Sequence, residues 1–391
     1  SASTGTITVS VADGGEDGAA PATLAWPITV VSQAHLCALP DVNGNGSPDQ
    51  ALLVKTPAGV SAYVTEGAGA TLIRTVTFAS AYTAAGLACI DDLNGNGTPE
   101  LAALGKSTST GAIQVQIRDA GSGALIRNIP FLGPGYQPVA VASATSGTTP
   151  LLAVLGKDAT AGTVRVQLKN ALDGSQVKTI NFFSPTSSAQ ALALATGLQG
   201  ANSVQVAVLG KDAATGIVHV QLRDASSGAL INTINFLTPA FSAERLAIIP
   251  APAKVGGAAI AVLGRDPVAG VIRVQLRDAF SDAVDRTLTF FGAHYEPEDL
   301  AIVDGAATPQ VAVLARNLDT GVVKVQMLDS AGGTALGTVT FPGPSFVPMQ
   351  LVRVTDGSGA QGLAVLSDGA TLRVQTRSAS DGSELGSATY P

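Results

Sequence analysis

The 391-residue sequence predicts an all-β protein: a seven-bladed β-propeller of four-stranded antiparallel blades, with an N-terminal extension strand. Three observations carry that prediction. An aromatic-ending run recurs at Phe78, Phe131, Phe182, Phe236, Phe290, Phe341 and Tyr390, at spacings of 49 to 54 residues. Between these aromatics the same order of short apolar runs and polar turns repeats. No capped segment of helical period interrupts them.

The elements of one copy follow in a fixed order. First comes a short apolar run, such as GLACI (86–90) or RLAII (245–249), and then a variable loop. The second run is LAALG, LAVLG, VAVLG, IAVLG, VAVLA or LAVLS. It is apolar on both faces, as a strand between two packed sheets must be. A polar turn ending in Gly follows, for example KDAATG (211–216), and then AIQVQIRD (112–119) or a relative. In TVRVQLK the residues Val164, Val166 and Leu168 share one face, and Arg165, Gln167 and Lys169 the other. A second turn, such as ASSG (225–228), leads to the aromatic-ending run. Runs of this length, rich in Val, Ile and Thr and bounded by Gly, Asp and Ser, are strands joined by hairpins. The blades are expected at about 30–78, 79–131, 132–182, 183–236, 237–290, 291–341 and 342–391, with residues 1–29 as an arm. A radial array leaves only short, protected edges.

Composition narrows the function. Charged residues make up 13% of the chain against 46% apolar, which excludes disorder. The net charge of −7, with 22 Lys and Arg, offers no basic face for nucleic acid or an anionic membrane. No apolar run approaches the ~18 residues of a membrane helix. The opening SASTGTITV reads as a mature N-terminus left by signal cleavage, which places the protein outside a cell, with a bacterial source expected. A surface so poor in charge points to self-association; an Ala-rich genome bias explains it equally well.

The copies resemble FG-GAP/VCBS-type propeller repeats, the class that includes the head of integrin α chains. The resemblance covers roughly residues 30–391 and rests on FLGPGYQP (131–138), FFGAHYEP (290–297), FPGPSFVP (341–348) and one loop motif. Copies four and five keep only part of it: FFSPTSS and FLTPAFS, which lead into them, lack the Gly.

That loop motif is DVNGNGSPD (41–49) in copy one and DLNGNGTPE (92–100) in copy two. D-x-N-x-N-G-x-x-D/E sets oxygen ligands at alternate positions, and its Gly allows the positive-φ turn that folds the loop back. The ligands are assigned as Asp41, Asn43, Asn45, the Ser47 carbonyl and Asp49, and as Asp92, Asn94, Asn96, the Thr98 carbonyl and Glu100. Hard oxygen donors without His or Cys select Ca²⁺ over zinc or copper. Two carboxylates per loop set the affinity at about 10⁻⁴–10⁻³ M. A plain Asn-Gly turn is the metal-free alternative. The other five loops, among them SATSGTTP (143–150) and ATGLQGANS (195–203), lack the ligand set, so two calcium ions would pin two adjacent blades. Both loops also read N-x-S/T, at Asn45 and Asn96; a glycan there would compete with metal.

The chain has two cysteines, Cys37 and Cys89, each in the first strand of a loop-bearing blade. Aligned on Asp41 and Asp92 they are offset by one residue, and one residue turns a strand side chain to the opposite face. Cys37 facing blade two then implies Cys89 facing blade one, the arrangement of an inter-blade disulfide, in agreement with an oxidising compartment.

No enzyme is expected. His35, His219 and His294 fall at unrelated repeat positions, and no nucleophile elbow or phosphate loop occurs. The GKD and GRD pieces at 156–158 and 264–266 recur as turns. Gln116, Gln167, Gln221, Gln275, Gln326 and Gln375 recur at one strand position, where inter-blade hydrogen bonds are expected. A hydrolytic or lyase propeller is the remote alternative. A carbohydrate-binding lectin or adhesin is the nearer one, but sugar rings stack on Trp and Tyr, and the single Trp26 lies outside the copies. Tyr82, Tyr136 and Tyr295 alternate with Phe241 and Phe346 in the blade-joining segment, which fits packing.

The arm completes the reading. In TGTITVSV (4–11), Ile7, Val9 and Val11 alternate with Thr6, Thr8 and Ser10. Residues 12–22 form a Gly-rich spacer that reaches about 35 Å when extended. TLAWP (23–27) sits where a fourth strand would precede copy one, although copy seven already ends in its own, LGSATYP. There are more outer strands than blades. The arm is therefore expected to add a strand to a neighbouring subunit, making a homo-oligomer or polymer that is a filament or surface layer, or else to lie along its own blade.

Overall fold

A computed structural model describes residues 3–11, 22–30, 34–56, 58–67, 71–196, 203–249, 258–305, 308–341, 343–355 and 358–390. The Gly-rich spacer at 12–21 and parts of the blade four and blade five loops lie outside the described residues. Among the described residues there are strands and no helices.

Seven four-stranded antiparallel sheets follow one another, each a simple meander. Blade one is β3 (Ala34–Leu39), β4 (Asp49–Thr56), β5 (Gly59–Glu66) and β6 (Leu72–Thr77). Blade two is β7 (Tyr82–Ile90), β8 (Glu100–Ser107), β9 (Ile113–Asp119) and β10 (Leu125–Pro130). The pattern continues through blade seven, β27 (Val347–Thr355) to β30 (Glu384–Tyr390), so the propeller expectation holds. The all-apolar second run is buried along its length, as in β8 and in β16 (Val204–Lys211). The outermost strand is short and carries a β-bulge in all seven blades, for instance between Leu72 and Arg74 and between Leu125 and Arg127. Short bulged edges resist pairing with other chains.

The core lies between blades. Among the described residues seven apolar clusters occur, one at each junction; that of blades seven and one joins Leu36, Leu52 and Val54 to Val354, Leu366 and Tyr390. The repeated residues stitch these junctions. Five of the seven blade-ending aromatics lie beneath a cation from the next blade's third strand: Arg118 is 5.8 Å from the centre of Phe78, Lys169 5.6 Å from Phe131 and Arg223 5.4 Å from Phe182, with Arg277 over Phe236 and Arg377 over Phe341. Each such contact is worth about 0.5–2 kcal/mol. The Lys of the GKD pieces spans the same seam. Lys157 donates to the Ser187 carbonyl at 2.8 Å and Lys211 to the Phe241 carbonyl at 2.7 Å, while Asp158 and Asp212 accept the N–H groups of their own turns.

The ring closes without strand exchange. The Gln350 amide both accepts from the Leu36 N–H and donates to the Leu36 carbonyl, each at 2.8 Å, and Tyr390 packs on Tyr63 at 5.2 Å. Residues 3–11 (β1) and 22–30 (β2) stand outside all seven blades as a two-stranded antiparallel sheet. TLAWP is therefore the partner of the arm and not an outer strand of a blade.

Candidate metal centres

The loop of blade one joins β3 to β4, and that of blade two joins β7 to β8. Each winds round its first aspartate. Asp41 Oδ1 accepts the N–H groups of Asn43, Gly44 and Asn45 at 3.2, 2.7 and 3.2 Å, and Oδ2 accepts that of Gly46 at 2.6 Å. Asp92 repeats the pattern with Asn94, Gly95, Asn96 and Gly97 at 3.2, 2.7, 3.2 and 2.7 Å. These N–H donors, Gly46 and Gly97 foremost, hold both carboxyls below the usual carboxylate range. The winding needs positive φ at Gly44 (76°), Gly46 (86°), Gly95 (75°) and Gly97 (86°). A Cβ at any of them would meet nothing, so backbone conformation and not space demands glycine.

The closing acids behave oppositely. Asp49 and Glu100 are fully buried. One oxygen of each accepts a loop N–H, from Val42 at 2.7 Å and Leu93 at 2.8 Å; the other, Asp49 Oδ1 and Glu100 Oε1, has no partner. Burial raises Asp49 to about 6, with the Asp41 and Glu66 charges adding to it. Burial likewise raises Glu100 to about 7, helped by Asp92 and Asp119. A buried carboxylate oxygen left unpaired is costly unless something positive meets it.

Two acidic residues escaped the sequence reading. Glu66 and Asp119 end the third strands and lie directly across the ladder from Asp49 and Glu100. Asp119 Oδ2 accepts from Asn96 Nδ2 at 2.7 Å and Thr98 Oγ1 at 2.6 Å. Burial would raise Asp119, but hydrogen bonds from Ser122, Thr98 and Asn96 outweigh it and hold it at about 2. Glu66 makes longer bonds, 3.2 Å to Asn45 and 3.4 Å to Asn43. Both acids pull an amide nitrogen outward and so turn an Asn oxygen inward, as outer residues do round a metal. The signal available was the acid that ends the third strand of both loop-bearing copies.

The residues fit a hard cation. Asp41, Asn43, Asn45, the Ser47 carbonyl and Asp49 would hold it in blade one; Asp92, Asn94, Asn96, the Thr98 carbonyl and Glu100 in blade two. Bound there, it would neutralise the unpaired buried oxygen and tie each loop to its second strand. Among the described residues no group of three or more His, Cys, Asp or Glu side chains is disposed to hold a metal. An ion at either loop therefore depends on amide and main-chain oxygens besides its carboxylates.

Next to these loops Cys37 and Cys89 form the expected disulfide between the inner strands of blades one and two, with Cα atoms 6.2 Å apart. The recurring Gln bear out their expectation in three places only. Gln221, Gln275 and Gln326 accept the N–H of Phe183, Leu237 and Phe291 from the preceding blade at 3.4, 2.8 and 2.8 Å. Gln116, Gln167 and Gln375 instead bond Asn128, Gln176 and Glu384 within their own blades.

No family model and no curated protein matches the chain. Solved structures do. Hydrazine synthase of Kuenenia stuttgartiensis aligns at 12% identity and TM-score 0.57 over 89% of this chain and 96% of that one. The Dos1 propeller aligns at 13% and 0.50 over 80% and 73%. A structure from a study of two prolyl endopeptidases aligns at 12% and 0.55 over 92% of this chain and 50% of that one. At such identities the likeness defines a class by fold alone: the chain is a seven-bladed β-propeller.

Proposed function

We propose that this propeller is a non-enzymatic, extracellular structural protein of the FG-GAP/VCBS type, which assembles with copies of itself through its N-terminal segment and is stiffened by calcium in blades one and two. One observation carries the reading: the propeller is complete without the arm, and the arm forms a sheet of only two strands. An isolated two-stranded sheet is marginal in water and presents free N–H and C=O groups on both edges. Its register sets Ile7 opposite Trp26, Val9 opposite Leu24 and Gly5 opposite Ile28, with Thr4 opposite Thr29 and Ser10 opposite Thr23. The apolar residues of the two strands thus fall on matching positions, and a neighbouring copy supplies cover and a further strand. Donor and acceptor are different surfaces, so the contact is head-to-tail and propagates as a filament unless the rotation closes. The disulfide agrees with an oxidising location.

Deletion of residues 1–12 tests this. Electron microscopy of the intact protein should show polymers, whereas the truncated chain should be a folded, soluble monomer that binds the added peptide TGTITVSV. A truncated chain that still polymerises, or that unfolds, would refute assembly through the arm.

A further inference from the structure

The two loops contain four Asn-Gly pairs: Asn43-Gly44, Asn45-Gly46, Asn94-Gly95 and Asn96-Gly97. Such pairs are prone to deamidation, because the unhindered glycine nitrogen can attack the preceding side chain. In this fold, the four nitrogens that would attack are those of Gly44, Gly46, Gly95 and Gly97. All four donate to the carboxylate of Asp41 or Asp92, at 2.6 to 2.7 Å. The amides under attack are held as well. Asn43 Oδ1 and Asn94 Oδ1 each accept a main-chain N–H at 3.0 Å, and Asn45 Oδ1 and Asn96 Oδ1 accept those of Ser47 and Thr98 at 2.8 and 2.9 Å.

We propose that the loops are latent self-modification sites, kept unreacted by Asp41 and Asp92. When a clamp opens, the glycine nitrogen gives its proton to hydroxide and bonds to the Asn side-chain carbonyl carbon. The bond from that carbon to Nδ2 breaks as Nδ2 takes a proton from water, so that ammonia leaves, hydroxide is regenerated and a five-membered imide remains. One water then opens the imide at either carbonyl. Opening one way leaves aspartate, which turns D-x-N-x-N-G stepwise into D-x-D-x-D-G and adds a carboxylate at a ligand position. Opening the other way leaves isoaspartate, whose extra main-chain methylene spoils the turn. Clamp release is therefore a one-way change in the charge of these two loops, and it requires neither bound metal nor assembly. Of the matching pair Asn45 and Asn96, Asn45 reacts first, because Glu66 holds it at 3.2 Å where Asp119 holds Asn96 at 2.7 Å.

Peptide mapping by mass spectrometry during incubation in mildly alkaline buffer tests the proposal, with chelator present throughout. Each glycine must break a charge-assisted hydrogen bond before it attacks, so the four Asn of native protein should react at least about tenfold more slowly than in denaturant. Asp41→Ala should accelerate Asn43 and Asn45 by about tenfold or more while Asn94 and Asn96 of the same molecules keep their native rate, and Asp92→Ala should do the reverse. Equal rates in native and denatured wild-type protein would overturn the clamp. So would acceleration in neither loop, or equally in both, on removal of one aspartate.

Discussion

The junction between blades one and two is built differently from those between blades three and six. At the ends of blades three, four and five, the residue after the blade-ending aromatic is a bulky key. Phe183, Leu237 and Phe291 have φ of 52°, 51° and 48°, a conformation that costs a non-glycine residue about 1–2 kcal/mol. The strain is offset: each turns its N–H onto Gln221, Gln275 or Gln326. The side chains of Phe183 and Leu237 also lie over a glycine of the next blade's second strand, within 2.7 and 2.6 Å of where a Cβ would be at Gly210 and Gly264. At the first junction the key is Ala79, Gln116 bonds within its own blade, and a crevice lined by Phe78, Ala79, Gly105 and Gln116 remains. That junction alone among the seven carries a disulfide, and its two blades carry the two acidic loops. A covalent tie thus stands at the junction where the packing lock is missing, and the proposed ionic ties lie in the two blades that flank it.

If so, the largest effect comes from the covalent tie. The Cys37→Ser, Cys89→Ser double variant should lose about 4 kcal/mol, the loop-closure value for a separation of 52 residues, seen as a lower denaturation midpoint. A loss below about 1 kcal/mol would mean that the first junction holds without the bond. Next in size is the converse variant. Leu132 is the buried key of the second junction and approaches Gly156. Leu132→Ala copies the first junction's crevice where no disulfide stands behind it, and should cost about 2–3 kcal/mol. A neutral result would show that the keys contribute little.

The fold could be read because a propeller writes its plan seven times. Period, strand order and aromatic ends are local patterns, and even the disulfide followed from a one-residue offset between Cys37 and Cys89. What escaped the sequence was choice of partner. TLAWP (23–27) reads as an outer strand, but nothing local says that it pairs with 3–11 and not with a blade. Glu66 and Asp119 meet the metal loops only across the ladder, at a register set by the whole sheet. Whether a recurring Gln reaches the neighbouring blade depends on the φ of a residue in that neighbour. Leu132 is a bulky key without positive φ, and the facing Gln167 stays within its own blade.

The ionic ties come third. On the proposal that both loops bind calcium at about 10⁻⁴–10⁻³ M, millimolar calcium would contribute roughly 1–3 kcal/mol, so chelation should lower the melting temperature. Asp41→Ala or Asp92→Ala should reproduce part of that loss; melting that ignores both chelator and variants would remove calcium from the account. The pH dependence has a definite sign. Asp49 and Glu100 titrate near 6 and 7 in the folded chain, above the roughly 4 of unfolded carboxylates. Their contribution to the metal-free fold is full below about pH 4 and is lost as pH rises through 6 to 7. Calcium binds the ionised forms, so the melting gain it confers should be larger at about pH 8 than at about pH 5. An equal gain at both would separate these acids from the ion.

The smallest effect is the most discriminating, because it repairs the first junction without touching its disulfide or its loops. Ala79→Leu supplies the missing key. Leu132 shows that a leucine can cover the strand-two glycine with ordinary backbone φ, and Gly105 stands where Gly156 does, with Tyr82 beside it as Tyr136 is beside Gly156. Burying a leucine side chain yields about 1.5–3 kcal/mol, against about 0.5–1 kcal/mol of lost side-chain freedom. A net gain of about 1 kcal/mol should appear as a raised denaturation midpoint. In the cysteine-free background the same substitution should recover a comparable amount, since it acts through packing and not through the bond. A loss in both backgrounds would mean that Tyr82 already fills the crevice. The first junction would then be a different solution to blade packing, and not an incomplete version of the others.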